Sequence, residues 1–366
     1  MGCNYYCHSI SQRLPRFISY TPIPIPIPIP CLRSPISPFR CRQLRSFAIS
    51  AAGGSIFTWD DVFQLPESPQ NDSSTLSAFF DKIKLCNRNS EKQSEFMPFV
   101  IEDQIIGYVH HVFADYLKPF QNVFIFPRNN SSQYCTLHPN LRTPEDRTKA
   151  VANVVKSLGE LIPGIRNELY PVVSSFGEPV FFSLERAAAP YFGIKAYGIH
   201  MSGYVEKNDQ KFLWLAKRSP TKSTYPGMLD HLVAGGLPHG ISCGENVVKE
   251  CKEEAGIPRS ISRQAVPVGA VSYVDIEGYR MKRDVLFCYD LKLPAEGFVP
   301  HNEDGEVESF RLVPVTQVAN VIRSTSFFKA NCNLVIIHFL FRHGYIRPEE
   351  FGYLRLLQSL RSGCCS

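Results

Sequence analysis

The first 59 residues contain no aspartate, no glutamate and no lysine, yet they hold six arginines: Arg13, Arg16, Arg33, Arg40, Arg42 and Arg45. An acid-free, Arg- and Ser-containing leader has the composition of an organellar transit peptide. Alternating proline and isoleucine from Pro22 to Pro30 exclude a helix there, since each proline removes a donor and clashes with the preceding turn. An extended, polyproline-like segment with little amphipathic-helix potential favours a chloroplast over a mitochondrial address. The bias stops near Ala48-Ile-Ser-Ala-Ala-Gly-Gly, so residues 1–50 are assigned to a removable transit peptide. A basic arm that stays attached and meets an anionic surface is the alternative. Secretion is disfavoured because no uninterrupted apolar core of signal-peptide length occurs. N-myristoylation is disfavoured too, because position six is Tyr6 rather than Ser or Thr.

Other absences narrow the rest of the chain. No run of 18 apolar residues exists, which excludes an integral membrane helix and predicts no membrane partner. Of 39 Lys and Arg residues, six lie in the leader, and the remaining 33 face 34 acids. A nearly neutral body carries no basic footprint for nucleic acid. The twelve cysteines include no CxxC pair, so buried free thiols in a reducing compartment are expected. A length of 366 residues suits about two domains of roughly 150 residues each.

Residues 55–192 read as a small mixed α+β domain. Leu76 to Leu85 has helical spacing, and Asn122-Val-Phe-Ile-Phe reads as a short strand stopped by Pro127. Thr143-Pro-Glu-Asp supplies an N-cap hydroxyl, a first-turn proline and acids that favour a helix start. From 195 to 343 the texture changes. Strand patterns at 196–205, 211–216, 265–274 and 284–291 surround a glycine-rich loop and one short helix, and two helical stretches at 315–323 and 330–343 follow. That mixture predicts an α/β/α sandwich. Residues 344–366, ending in Cys364-Cys365, are expected to be a tail.

The chemistry concentrates in Gly235-Gly236 and the helix after it. Ser242 and Glu245 stand three apart as a capping box, and Gly256 followed by Pro258 supplies the stop. Val247, Val248, Cys251 and Ala255 share an apolar face, while Glu250, Glu253 and Glu254 share a neighbouring one. A helical acid cluster is most often a solvated surface. Here two of the acids lie in the last turn, where the helix dipole disfavours negative charge by roughly 0.3–1 kcal/mol each. A hard divalent cation would relieve that conflict and recruit phosphate oxygens.

This stretch resembles the Nudix box. Gly235, Glu250, Cys251, Glu253, Glu254, Gly256 and Ile257 match its spacing, while Ile241 replaces the first glutamate and Lys249 replaces the arginine. The resemblance implies a diphosphate-cleaving hydrolase using Mg²⁺ or Mn²⁺. It assigns Glu250 and Glu254 as metal ligands and Glu253 as a further ligand or water-orienting group. The general base would come from outside the box, with Glu306 or Glu308, one strand step apart on the same face, as candidates. Lys217 and Lys222, in a basic loop, and the close-approach glycines Gly235 and Gly236 are expected to meet substrate.

Lys222-Ser-Thr-Tyr-Pro-Gly227 also resembles a segment of isopentenyl diphosphate isomerase, a Nudix-fold enzyme. The loop before the acidic helix lacks the cysteine and histidine pair that such isomerases require, which disfavours that activity. Glu185-Arg-Ala-Ala-Ala-Pro-Tyr-Phe-Gly193, Gly198-Ile-His-Met-Ser-Gly-Tyr204 and Ala234-Gly-Gly-Leu-Pro-His-Gly240 extend the likeness to plant chloroplast Nudix hydrolases. These are similar to the Nudix half of fungal thiamine pyrophosphokinases. That group implies nucleoside diphosphate derivatives or thiamine-diphosphate-like compounds as substrates, and Nudix enzymes are often homodimers. A non-catalytic diphosphate sensor on a degraded box, motivated by Ile241 and Lys249, is the competing reading.

Overall fold

The computed structural model of the chain describes residues 57–66, 75–129 and 132–363. The expected transit peptide and the terminal Cys364-Cys365 lie outside these residues.

The helices that matter here are α1 (Trp59–Phe63), α2 (Thr75–Lys84), α3 (Pro144–Ser157), α4 (Cys243–Ala255), α5 (Val315–Ser324), α6 (Ala330–Arg342) and α7 (Tyr353–Ser359). The strands are β1 (Phe96–Ile101), β2 (Gln104–His110), β3 (Leu169–Val172), β4 (Phe182–Glu185), β5 (Lys195–Lys207), β6 (Gln210–Arg218), β7 (Leu229–Asp230), β8 (Val233–Gly236), β9 (Val266–Glu277), β10 (Arg280–Lys292) and β11 (Val307–Pro314).

Strands β5 to β11 form one mixed sheet in the order β7-β6-β5-β10-β9, with β8 also pairing β5 and β11 also pairing β6. The β5–β10 pairing is parallel and the others are antiparallel. Long strands buried on both faces explain the near-continuous apolar texture of this half. On one face Ile199, Met201, Val233 and Leu291 pack against Val247, Cys251 and Ala255 of α4. On the other, Leu213, Val271, Leu286 and Cys288 pack against Val318, Val335 and Phe339 of α5 and α6. The expected α/β/α sandwich is present. In the module before it, Phe99, Phe113, Phe124, Phe182 and Phe192 form a separate aromatic core with Val151, Val154 and Val155 of α3.

Two boundaries differ from the sequence reading. Helices α1 and α2 do not join the module that follows them; Val62, Leu76, Phe79 and Ile83 belong to the core built around α5 and α6. Trp59 Nε1 fastens α1 by donating to Ser309 Oγ at 2.9 Å. Helical spacing shows which face of α2 is apolar, but not which distant helices that face will meet. Residues 344–363 are likewise no tail. Ile346, Leu356 and Leu360 are buried in the same core, and Ser272 N donates to Leu360 O at 2.9 Å. A short segment with three buried aliphatic side chains recovers more by docking than it loses in chain entropy. The strand expected at 122–126 shrinks to Phe124–Ile125. Among the described residues no helix is long and apolar enough to cross a membrane.

Candidate functional site

The local chemistry of α4 fixes the acids in space. Ser242 and Glu245 form the anticipated reciprocal cap, and Gly256 ends the helix in the left-handed region at φ 60°. Glu254, in the last turn, accepts a hydrogen bond from the backbone N–H of Ala234 at 2.8 Å. Glu250, one turn earlier, keeps only 13% of its side chain accessible. It lies directly over Gly235, where a Cβ would stand 2.6 Å from the Glu250 Cγ. Gly236 is equally constrained, since a Cβ there would meet the phenol of Tyr170. These two glycines therefore admit a carboxylate and a phenol rather than touching open solvent.

Burial pushes the Glu254 carboxyl well above the usual carboxylate range, against the Ala234 N–H, and the nearby carboxylates of Glu250, Asp230 and Glu306 add to the rise. Burial also raises Glu250, partly offset by Lys249. Glu253 is exposed at 47% and pairs with Lys249 Nζ at 2.8 Å. The same ammonium stands 3.2 Å from Glu250 Oε1. Lys249 thus spans two of the three acids, although it lacks the planar fork of an arginine. Ile241 packs with Val173, Tyr197, Leu237 and Val285 in an apolar cluster. An ionised glutamate in its place would lose that packing.

A narrow cleft, with a cavity volume of about 10 Å³, is lined by Ala216, Arg218, Asp230, Ala234, Glu254 and Glu306, among others. Glu306 thus shares a wall with Glu254, and it is ion-paired with Lys222. Glu308 does not share that face. The β6–β11 register shifts between Lys217 and Arg218, so Glu308 turns outward and pairs with Lys217 at 3.3 Å. Lys217 itself leaves the site, its ammonium resting 5.4 Å from the centroid of Phe57. Strand alternation gives the cleft position to Arg218 instead.

Arg218 belongs to a buried polar group that motif spacing did not reveal. Its guanidinium donates to Asp230 Oδ2 at 2.7 Å, and Lys329 Nζ stands 3.3 Å from the same oxygen. Cys332 Sγ donates to Asp230 Oδ1 at 2.9 Å. Burial opposes ionisation of Asp230, but the charges of Lys329 and Arg218 outweigh it and hold the carboxyl below its ordinary range. His231 is pushed down to about 4, chiefly by burial, so it is neutral at physiological pH. The available signal was a lone aspartate inside the apolar run Met228-Leu-Asp-His-Leu-Val233.

The donor set suits a hard cation. Glu250 and Glu254 offer carboxylate oxygens whose mutual repulsion a divalent ion would relieve. Mg²⁺ and Mn²⁺ both accept such oxygens, and Mg²⁺ is commonly held by one or two carboxylates plus phosphate and water. Among the described residues no group of three or more Asp, Glu, His or Cys side chains is placed to hold a metal ion.

The NUDIX domain model matches residues 197–330, and a model described as a domain of unknown function (DUF4743) matches residues 78–196. Nudix hydrolase 20, chloroplastic, of Arabidopsis thaliana is 64% identical over 338 residues, with 90% of each chain covered. Nudix hydrolase 24, chloroplastic, of the same plant is 61% identical over 315 residues, with 85% of each chain covered. An uncharacterized protein of Saccharomyces cerevisiae is 40% identical over 211 residues, covering 54% of this chain and 60% of its own.

Proposed function

Because the chain belongs to the Nudix hydrolase family, in its chloroplastic plant form, and acts on pyrophosphate bonds, we propose that it is a Mg²⁺- or Mn²⁺-dependent diphosphatase of the plastid. Its substrates in this reading are nucleoside diphosphate derivatives or thiamine-diphosphate-like metabolites. The observation that carries the proposal is the pairing of half-buried Glu250 with Glu254, one turn apart, against the Gly235-Gly236 strand.

Glu250 and Glu254 would hold the cation, with Ala234 N–H fixing the rotamer of Glu254. The bound ion supplies charge neutralisation of the diphosphate and an activated water. Glu253, exposed and tethered by Lys249, would orient that water. Glu306 faces the same cleft and is the candidate acceptor for the proton the water loses, its charge held in place by Lys222. Water adds to phosphorus and the P–O–P bridge breaks, leaving two phosphate-bearing products. Gly235 and Gly236 shape the loop, Lys222 and Arg218 bring positive charge to the cleft, and Lys217 has no part in it. Residues 1–50 would be the transit peptide.

The two departures from the box do not favour a non-catalytic sensor. Lys249 still bridges Glu250 and Glu253, and Ile241 is an apolar packing residue. The deciding experiment measures release of phosphomonoester and phosphate products from a panel of nucleoside diphosphate derivatives and thiamine diphosphates, with and without Mg²⁺ or Mn²⁺. Metal-stimulated release that Glu254→Gln abolishes supports the proposal. Release that is indifferent to metal, or that survives Glu254→Gln, overturns it.

A further inference from the structure

Three successive residues of β8 each meet a side chain from elsewhere in the fold. Ala234 gives its N–H to Glu254, Gly235 lies under Glu250, and Gly236 lies against Tyr170. Neighbouring strand positions face opposite sides. Helix α4 therefore presses on one face of the glycine pair through Glu250, and the N-terminal module presses on the other through Tyr170. A Cβ on Gly236 would stand 2.1 Å from the Tyr170 hydroxyl oxygen and 3.0 Å from the ring carbon that bears it. Buried Asn246 of α4 adds a second hold, its Nδ2 donating to Gly236 O at 2.7 Å. Glycine in a strand permits this kind of close approach. Two adjacent glycines also have the widest backbone freedom, so their neighbours must fix them.

Tyr170 is mounted as a rigid stop. It is 5% exposed, and its ring belongs to the core of the module with Val172, Phe182 and Leu184. The Arg186 guanidinium lies 5.5 Å from the ring centroid, and Glu168 holds Arg186 by an ion pair of 2.7 Å. The module is in turn fastened to other strands of the sheet. Lys195 of β5 donates to Ser174 O at 2.7 Å, Arg283 of β10 to Gly193 O at 3.1 Å, and Met281 N to Pro190 O at 2.8 Å. Two more ties meet the chain just after β8. His239 N donates to Leu169 O at 2.9 Å, and Ser183 Oγ lies 2.6 Å from His239 Nδ1. Leu169 and Tyr170 lie on β3 and Ser183 on β4, so one antiparallel pair delivers all three contacts.

We propose that the N-terminal module is the backstop of the hydrolytic site: Tyr170 is a positioning residue that holds Gly235 and Gly236 against α4, and through them sets the placement of Glu250 and Glu254. The inference rests on the diphosphatase reading and gives the module matched at residues 78–196 a part in it. Tyr170 acts through the strand, not on the reacting atoms. Without its phenol the glycine strand can retreat from α4 into the space left behind. That movement takes the Ala234 N–H away from Glu254 and the floor from under Glu250. Groups that orient metal ligands without touching the metal typically contribute about 10–100-fold to its affinity.

The test uses the full chain and begins without metal. Amide deuterium exchange is followed over residues 233–239 and, as a control, over 285–291 of β10. Tyr170→Leu keeps an apolar side chain in the module core but no longer reaches Gly236. It should speed exchange over 233–239 about tenfold or more, and over 285–291 about threefold or less. Tyr170→Phe loses the hydroxyl alone and should speed exchange over 233–239 about threefold with no change in the control, so it decides the matter if the leucine variant does not fold. Equal acceleration in both segments, or none in either, overturns the backstop. Gly236→Ala supplies the converse, because its Cβ must displace the phenol oxygen or shift the strand. Its dissociation constant for Mn²⁺, read by calorimetry, should rise about tenfold or more. Adding Tyr170→Phe removes the obstructing oxygen and should bring that constant to within about threefold of the Tyr170→Phe value. Losses that simply add overturn the proposal, since only two groups in contact can rescue one another. If the wild type binds no Mn²⁺, the same rescue is read on exchange over 233–239. Localised exchange and rescue in a protein that hydrolyses no diphosphate would remove the diphosphatase reading and leave the backstop. Uniform exchange and additive losses in an active hydrolase would do the reverse.

Discussion

Gly235 lies under Glu250 so closely that a Cβ would stand 2.6 Å from the Glu250 Cγ. A methyl group there must displace a carboxylate assigned to the cation, while the pairing of β8 with β5 can persist. Gly235→Ala is therefore expected to keep the fold but lower kcat on the order of 100-fold, the scale set by ångström-level misplacement of reacting groups. Its Mg²⁺ requirement should rise as well. Kinetics against Mg²⁺ concentration, with circular dichroism as the fold control, checks both points. Normal kcat at ordinary Mg²⁺ would show that Glu250 is not a ligand.

A second expectation concerns Glu254 without metal. Burial and the nearby carboxylates raise its folded pKa. For an acid raised in this way, ionisation opposes folding. Its share of stability is greatest below the unfolded pKa and declines as pH rises toward the folded one. Glu254→Gln removes the charge, and its Oε1 can still accept from Ala234 N–H. The metal-free variant should thus melt at or above the wild-type Tm at pH 8, and it should lose the Tm rise that Mg²⁺ gives the wild type. Thermal unfolding with and without Mg²⁺ reads both effects. A lower Tm for the metal-free variant would mean that the ionised carboxylate stabilises the fold.

How far the sequence could be read differs from residue to residue. The capping box, the terminal Gly256 and the acids of α4 were legible because they depend on neighbours within a few positions. The long strands of the sheet were legible from their apolar runs. Glu306 and Glu308 are expected one strand step apart on the same face, and of the two Glu306 lines the pocket that Glu254 lines. Glu308 faces outward because the register shift opposite Lys217 and Arg218 takes it out of line with Glu306, and Lys217 because alternation along β6 gives the inward place to Arg218. Asp230 was missed because its partners Lys329 and Cys332 are about a hundred residues away in sequence. The destinations of α2 and α7 depend on contacts of the same long range.

The opposite facing of Lys217 and Arg218 leads to a further prediction. Lys217 pairs with Glu308 and covers Phe57, so Lys217→Met should change kcat/KM less than twofold. Arg218→Met leaves Asp230 buried with Lys329 as its remaining cation. Breaking a buried pair costs about 3–5 kcal/mol, and the low end applies while one cation is retained. Urea unfolding should show a loss of that order for Arg218→Met and almost none for Lys217→Met. A strong catalytic defect in Lys217→Met would return that residue to the site.

The C-terminal segment supplies the last expectation, because it is bonded to strand β9 of the central sheet. Leu356 and Leu360 are fully buried among the side chains of α2 and α6. Ser272 of β9 bonds to this segment through its backbone and through Oγ, which donates to Gly363 O at 2.6 Å. The adjacent residue, Tyr273, is the donor to Asp284. Leu360→Ala should cost about 2–5 kcal/mol, as for other large-to-small changes in a packed core. While the protein remains folded, its kinetics should stay near wild type. Truncation after residue 343 is a different case, since it removes both the apolar cover and the anchor on Ser272. It should lower Tm sharply. A truncated protein with wild-type Tm would show that residues 344–363 do not hold the core together.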